Sequence, residues 1–140
     1  YLRKKMEKGK PMVDYTEIQV ENNSMRIAYS RPAGAGLFPA MVVMYHRGGF
    51  DEFTLKICDD LAESGYLAAA MDLYHWPPLL EPPQENPFPR DPEIIKDVSA
   101  TLDWLSEQND VDMDRLGIIG HCMGGRMALL GASTHDVFKA

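Results

Sequence analysis

The chain has 140 residues, of which 45% are apolar, 25% charged and 9% aromatic, with a formal net charge of −7 and a pI near 5.0. That length gives one domain able to bury roughly 70% of its unfolded surface, and that charge excludes nucleic acid or an anionic membrane as the main partner. Two cysteines in different predicted elements exclude a disulfide framework and favour a reducing, cytoplasmic setting, while no stretch approaches the ~18 consecutive apolar residues of a membrane span.

Residues 1–14 form a basic arm: Arg3, Lys4, Lys5, Lys8 and Lys10 are five of the fourteen basic residues. The arm reads as a solvated terminus or an interaction tail. Tyr15–Val20 alternates, with Ile18 and Val20 on one face and Glu17 and Gln19 on the other. Met25–Tyr29 follows a hairpin turn at Glu21-Asn22-Asn23-Ser24. Ala40–Tyr45 is apolar on both faces, as a central parallel strand should be. From Phe53 the spacing becomes helical: Phe53, Ile57 and Leu61 form one stripe, Cys58 and Ala62 flank it, and Gly65 is the stop. Tyr66–Met71 is a second buried strand. Pro77–Pro92 holds seven of the ten prolines, too many for a regular element, and reads as a surface loop. Asp91-Pro92 predicts an N-cap followed by proline at the first helical position, opening a helix with Ile94, Ile95, Val98, Leu102 and Leu105 inward. Leu116–Gly120 is the third apolar strand and Gly124–Ala132 the last helix. The order β-β-β-α-β-α-β-α predicts an α/β fold, a mostly parallel sheet flanked by helices and led by an antiparallel hairpin.

The chemistry concentrates at Gly120-His121-Cys122-Met123-Gly124-Gly125. In a parallel sheet, ligands bind where strands end and helices begin. A nucleophile on a tight strand-to-helix turn is lifted clear of the sheet, and the residues two before and two after it are forced close together, so both must be very small. Gly120 and Gly124 meet that need, and the G-x-C-x-G-G spelling is the thiol form of a serine elbow. The free N–H groups of the helix start point at a bound substrate, and the helix field favours a thiolate at such a position. The competing reading of a lone cysteine is a small buried hydrophobe; it suits Cys58, on the buried face of a helix, better than Cys122. Neither glycine-rich phosphate motif is present. Acyl transfer needs two donors at the developing oxyanion, and the N–H of Met123, directly after the nucleophile, is one.

"VDMDRLGIIGHCMGG" resembles the elbow of the dienelactone hydrolase family, cysteine-using members of the α/β-hydrolase fold. "PAMVVMYHRGGFDEFTLKICDDLAESGYLAAAMDLY", the Pro-rich loop and "DPEIIKDVSATLDWLSEQ" agree with the family in order and spacing, so the resemblance covers about residues 15–135. It implies hydrolysis of a lactone or carboxylic ester through a cysteinyl acyl-enzyme, with no cofactor and no metal. It places the second oxyanion N–H at Arg47, with Gly48 and Gly49 letting the backbone approach and His121 and Gly125 beside the thiol. His46 stands where the family has a glutamate against the resting thiol; it is a base for Cys122 or a hydrogen-bonded loop anchor, the anchor being preferred. His75-Trp76 stands where the family has an arginine for a substrate carboxylate. An apolar or aromatic ester or lactone suits Trp76 better, unless the tryptophan packs the loop down.

The family's order of nucleophile, acid, histidine leaves only His135 and Asp136 downstream of Cys122. They are adjacent and reversed, so neither is assigned to a triad. The expectation is a partial α/β-hydrolase domain over residues 15–140, with the later strands that carry the acid and histidine absent and activity in this chain alone doubtful. The rival is a non-catalytic remnant serving as an assembly or binding module. Strand 116–120 is then an exposed edge and helix 124–132 lacks neighbours, which predicts a homodimer or other self-association through one of them. The expected partner is otherwise a small ester or lactone, not nucleic acid or membrane.

Overall fold

The computed structural model describes residues 12–77 and 88–140. Most of the basic arm and the middle of the Pro-rich stretch lie outside the described residues. Among the described residues, five strands and three helices follow in the predicted order: β1 (Asp14–Val20), β2 (Asn23–Ser30), β3 (Phe38–Met44), α1 (Glu52–Glu63), β4 (Leu67–Met71), α2 (Asp91–Ser106), β5 (Val111–Gly120) and α3 (Met123–Thr134). They form one mixed sheet in the order β1-β2-β4-β3-β5. β4, β3 and β5 are parallel, and the β1–β2 hairpin joins antiparallel to β4 through β2.

Period-two alternation builds the layers. Along β4, Leu67, Ala69 and Met71 enter the core on one face, with Ile94, Val98 and Leu105 of α2 and Met127 of α3. Ala68 and Ala70 point the other way, onto Leu55 and Cys58 of α1. Both faces of the strand are therefore buried, which is why "LAAAM" carries no polar residue. Burying each of the α2 side chains Ile94, Val98 and Leu105 contributes roughly 1.5–3 kcal/mol.

Several boundaries differ from the sequence reading. β1 begins at Asp14 and Val13 is already buried, so the last residues of the supposed arm belong to the fold. The hairpin turn is only Glu21-Asn22, with Asn23 opposite Val20, and Glu21 takes the left-handed φ of 54°. The buried face of α1 is Thr54, Leu55, Cys58 and Ala62, whereas Phe53 is half exposed. The helix is rotated toward its small residues because α1 packs against an alanine strand. In α2 the polar Asp97 and Thr101 are buried, while Ile95 and Leu102 are only partly so.

Arg90, not Asp91, occupies the N-cap position of α2. The Glu93 carboxylate accepts the Arg90 backbone N–H at 3.2 Å, and Asp91 is instead engaged by Arg126 of α3 at 2.7 Å. β5 is twice as long as its apolar part. Its polar start pairs with Phe38, and the register slips between Phe38 and Ala40, where Pro39 has no N–H to give the ladder.

One expectation is corrected. The outer side of β5 is not bare, because Phe138–Ala140 run back parallel to it. Lys139 N–H donates to Leu116 O at 2.8 Å and Ile118 N–H to Ala140 O at 2.9 Å. The chain leaves α3 at His135 in an extended conformation, which aims it along the neighbouring strand position.

Candidate active site

β3 and β5 end side by side, Met44 opposite Gly120. β5 leads into α3 after two residues and β3 into α1 through the seven-residue loop 45–51, so two strand-to-helix connections meet at the carboxyl end of the sheet. At the β5–α3 turn, Cys122 adopts φ 54° and ψ −117° and is exposed. That backbone costs a non-glycine residue ~1–3 kcal/mol. The flanking glycines make it possible. A Cβ on Gly120 would lie 2.0 Å from Gly124 O, and one on Gly124 would lie 2.1 Å from Met44 O. Gly125 differs, since a Cβ there would meet nothing nearer than Gly120 O at 3.7 Å. The N–H of His121 donates to Met44 O at 3.3 Å, tying the turn to β3.

Among the described residues the Cys122 side chain has no hydrogen-bond partner, and α3 has no side-chain cap. The Met123 N–H, the first of the helix, has no acceptor among them either. Cys58, by contrast, is fully buried, and burial first, with Asp59 adding to it, pushes its thiol up to about 12.

The β3–α1 turn supplies His46, Arg47, Gly48 and Gly49. Gly49 takes the left-handed φ of 69° and its N–H closes the turn onto His46 O at 3.1 Å. Gly48 N–H donates to His46 Nδ1 at 3.3 Å. His46 Nε2 lies 2.8 Å from Asp51 Oδ2, an ion-pair distance without hydrogen-bond alignment. Asp51 caps α1 by accepting the Thr54 N–H at 3.0 Å. Burial raises the Asp51 carboxyl, but the Thr54 N–H and His46 outweigh it and hold the group below its usual range. The His46 ring thus accepts a hydrogen bond within its own loop at Nδ1, while Nε2 lies beside Asp51 without a hydrogen bond. The Arg47 N–H has no acceptor among the described residues.

His75 and Trp76 turn inward rather than onto an open cleft, at 4% and 6% exposure. His75 Nε2 lies 2.8 Å from Asp97 Oδ1, and the Trp76 indole N–H reaches both Asp97 oxygens at 3.0 Å. Burial raises the Asp97 carboxyl, against the hydrogen bonds of His75 and Trp76. A buried carboxylate needs such partners, and three hydrogen-bonding contacts here pin the loop after β4 onto α2. His135 is also spoken for: Nε2 pairs with Ser99 Oγ at 2.8 Å, and Nδ1 lies 3.0 Å from Gly131 O. It stands at the far end of α3, about 18 Å of helix from Cys122.

Sequence reasoning missed three residues. Phe53 stands edge-on to both His46 and His121, with ring centroids 5.4 Å away in each case. Asp51 is the cap of α1, signalled by an acidic residue just ahead of the helical spacing. Tyr74, the last residue of the "DLY" landmark, donates its hydroxyl to Arg47 O at 3.1 Å. The contacts of Phe53 and Tyr74, unlike the Asp51 cap, could not be read from one element alone.

The described residues hold no helix long and apolar enough to cross a membrane. The family model for the dienelactone hydrolase family matches residues 25–140. The chain is 34% identical over 131 residues to a Bradyrhizobium sp protein named "Probable 2-oxo-3-(5-oxofuran-2-ylidene)propanoate lactonase", covering 87% of this chain and 52% of that one. It is 33% identical over 135 residues to a Salmonella typhi protein named "Putative carboxymethylenebutenolidase", covering 89% and 49%. The chain therefore spans about half the length of these relatives. A Klebsiella pneumoniae structure described as a "Putative Dienelactone Hydrolase" superposes with a TM-score of 0.80 at 28% identity, over 92% of this chain and 57% of that one. A five-stranded mixed sheet with its elbow at the end of β5, matched over residues 25–140, places this chain in the dienelactone hydrolase family.

Proposed function

We propose that the chain carries the nucleophilic half of a hydrolase site that cleaves a carboxylic ester or lactone through a cysteinyl acyl-enzyme. The Cys122 thiolate attacks the carbonyl carbon, and the new S–C bond places a negative charge on the carbonyl oxygen. The N–H groups of Met123 and Arg47 receive that charge. The tetrahedral centre then expels the alkoxide, which leaves with a proton as the alcohol, or remains attached as the opened ring of a lactone. Water must next cleave the thioester, and no described residue stands at Cys122 as its base, so acylation should outrun deacylation in this chain.

The observation that carries this reading is the backbone of Cys122, held at φ 54° by two glycines with no room for a Cβ. A remnant kept only as a binding module has no use for that strain. The names of the relatives, a lactonase and a carboxymethylenebutenolidase, support a lactone as one substrate class. The inward Trp76 gives no support to a role in the substrate pocket. A cytoplasmic setting is part of the same proposal, on the strength of two unpaired cysteines. So is self-association, through α3, where Leu129 stands 72% exposed, or through the part of β5 beyond Ile118.

Mixing the chain with excess p-nitrophenyl acetate tests the chemistry. The expected result is a stoichiometric burst of p-nitrophenolate, followed by slow turnover, with the acetyl group mapped to Cys122. No acetyl adduct at Cys122, or a burst that survives Cys122→Ala, would overturn the proposal.

A further inference from the structure

The turn from β3 into α1 contains two consecutive glycines, yet it has to present the Arg47 N–H in a fixed direction if that group is to meet an oxyanion. The Arg47–Gly48 peptide is held at both poles. Its N–H, on Gly48, goes to His46 Nδ1 at 3.3 Å, and its C=O, on Arg47, accepts the Tyr74 hydroxyl at 3.1 Å. The first of these holds stays within the turn, whereas Tyr74 ties this peptide to the loop after β4.

Tyr74 is itself well anchored. Its backbone N–H donates to Asp72 Oδ1 at 3.1 Å, and the same oxygen accepts the Tyr45 hydroxyl at 3.2 Å. Its ring stacks on Tyr45, with centroids 5.5 Å apart and planes 30° apart, and lies under Gly49, where a Cβ would be 3.8 Å from the ring. The next two residues, His75 and Trp76, are pinned to Asp97 of α2. The hydroxyl also lies 3.8 Å from Met123 Sδ, so it stands between the two turns that carry the free N–H groups. Its single proton goes to the closer and stronger acceptor, the carbonyl. Burial pushes the phenol up, with the Arg47 charge opposing, so it remains a donor at neutral pH.

We propose that Tyr74 is a positioning residue that holds the Arg47 half of the oxyanion hole in register with the elbow. It touches no reacting atom and acts through the Arg47 carbonyl. The inference rests on the acyl-transfer reading above and adds the group that rigidifies it. A donor displaced by about an ångström loses much of its effect on a developing charge.

The test uses the full chain and two reagents that differ in whether an oxyanion forms. Acetylation of Cys122 by p-nitrophenyl acetate develops one, whereas alkylation by iodoacetamide is a displacement at carbon and does not. Tyr74→Phe keeps the stacked ring and removes only the hydroxyl. It should slow acetylation roughly 10-fold or more and leave alkylation within about twofold. Tyr45→Phe, which loses a hydrogen bond to Asp72 but none to Arg47, should leave both rates near wild type.

Equal acetylation rates in Tyr74→Phe and wild type would overturn the proposal. So would a parallel fall in both rates, which would mean that Tyr74 governs access to the thiol. A wild-type thiol that alkylates but is never acetylated would instead sink the acyl-transfer reading, and this inference with it. Should Tyr74→Phe fail to fold, amide exchange in the wild type decides: protection of the Gly48 and Gly49 N–H groups is expected, and exchange at the rate of an open loop would refute the hold.

Discussion

The two helix starts at the carboxyl end of the sheet are built in opposite ways. α1 begins under a cap of its own: Asp51 accepts the Thr54 N–H, its other oxygen faces His46, and the helix buries a thiol, Cys58, in its packed face. α3 begins on Cys122, with no side-chain cap, a strained backbone and an exposed thiol. A satisfied helix start adds stability, and an unsatisfied one leaves N–H groups directed at whatever binds there. The same fold thus buries one cysteine in its packed face and leaves the other exposed at an uncapped helix start.

The largest effect that could break this contrast is thiol chemistry. Iodoacetamide at neutral pH should label Cys122 at least about 100-fold faster than Cys58 in the folded chain, because a buried thiol pushed up to about 12 is almost never a thiolate. Peptide mapping by mass reads the two rates, and equal labelling would erase the distinction.

The glycines sharpen it. Gly124→Ala drives a methyl into the Met44 carbonyl and should cost roughly 3 kcal/mol or more. Gly125→Ala, one residue on, has space and a helical position, and should be neutral or stabilise by up to about 1 kcal/mol. Urea midpoints measure both, and similar costs at the two sites would mean that the elbow is not tightly packed.

The smallest effect lies at the other helix start. Asp51→Ala should cost about 1 kcal/mol at neutral pH. The Asp51 carboxyl is held below its usual range in the fold, so its contribution is complete above the unfolded pKa and fades as pH falls through the folded one. The gap between wild type and Asp51→Ala should therefore close below about pH 4. A gap that widens in acid would show that the carboxylate does not stabilise this helix start.

The sequence by itself determined the order of elements, because apolar period two and period 3.6 are local signals and the prolines and glycines interrupt them cleanly. It also determined the tight strand-to-helix turn at Cys122, since glycines two before and two after it meet the crowding such a turn imposes. What it could not decide were contacts between elements. The inward turn of His75 and Trp76 follows from a buried carboxylate at Asp97, which helical spacing alone assigns no partner. Phe53 left the core because α1 settled on its small residues against the alanines of β4. Phe138–Ala140 came to lie along β5 because the exit from α3 aims them there, and strand pairing is a long-range choice that neighbouring residues do not encode. Tyr74 reached the Arg47 carbonyl only because β3 and β4 are parallel neighbours, which brings the ends of two strands, 27 residues apart in sequence, to one point.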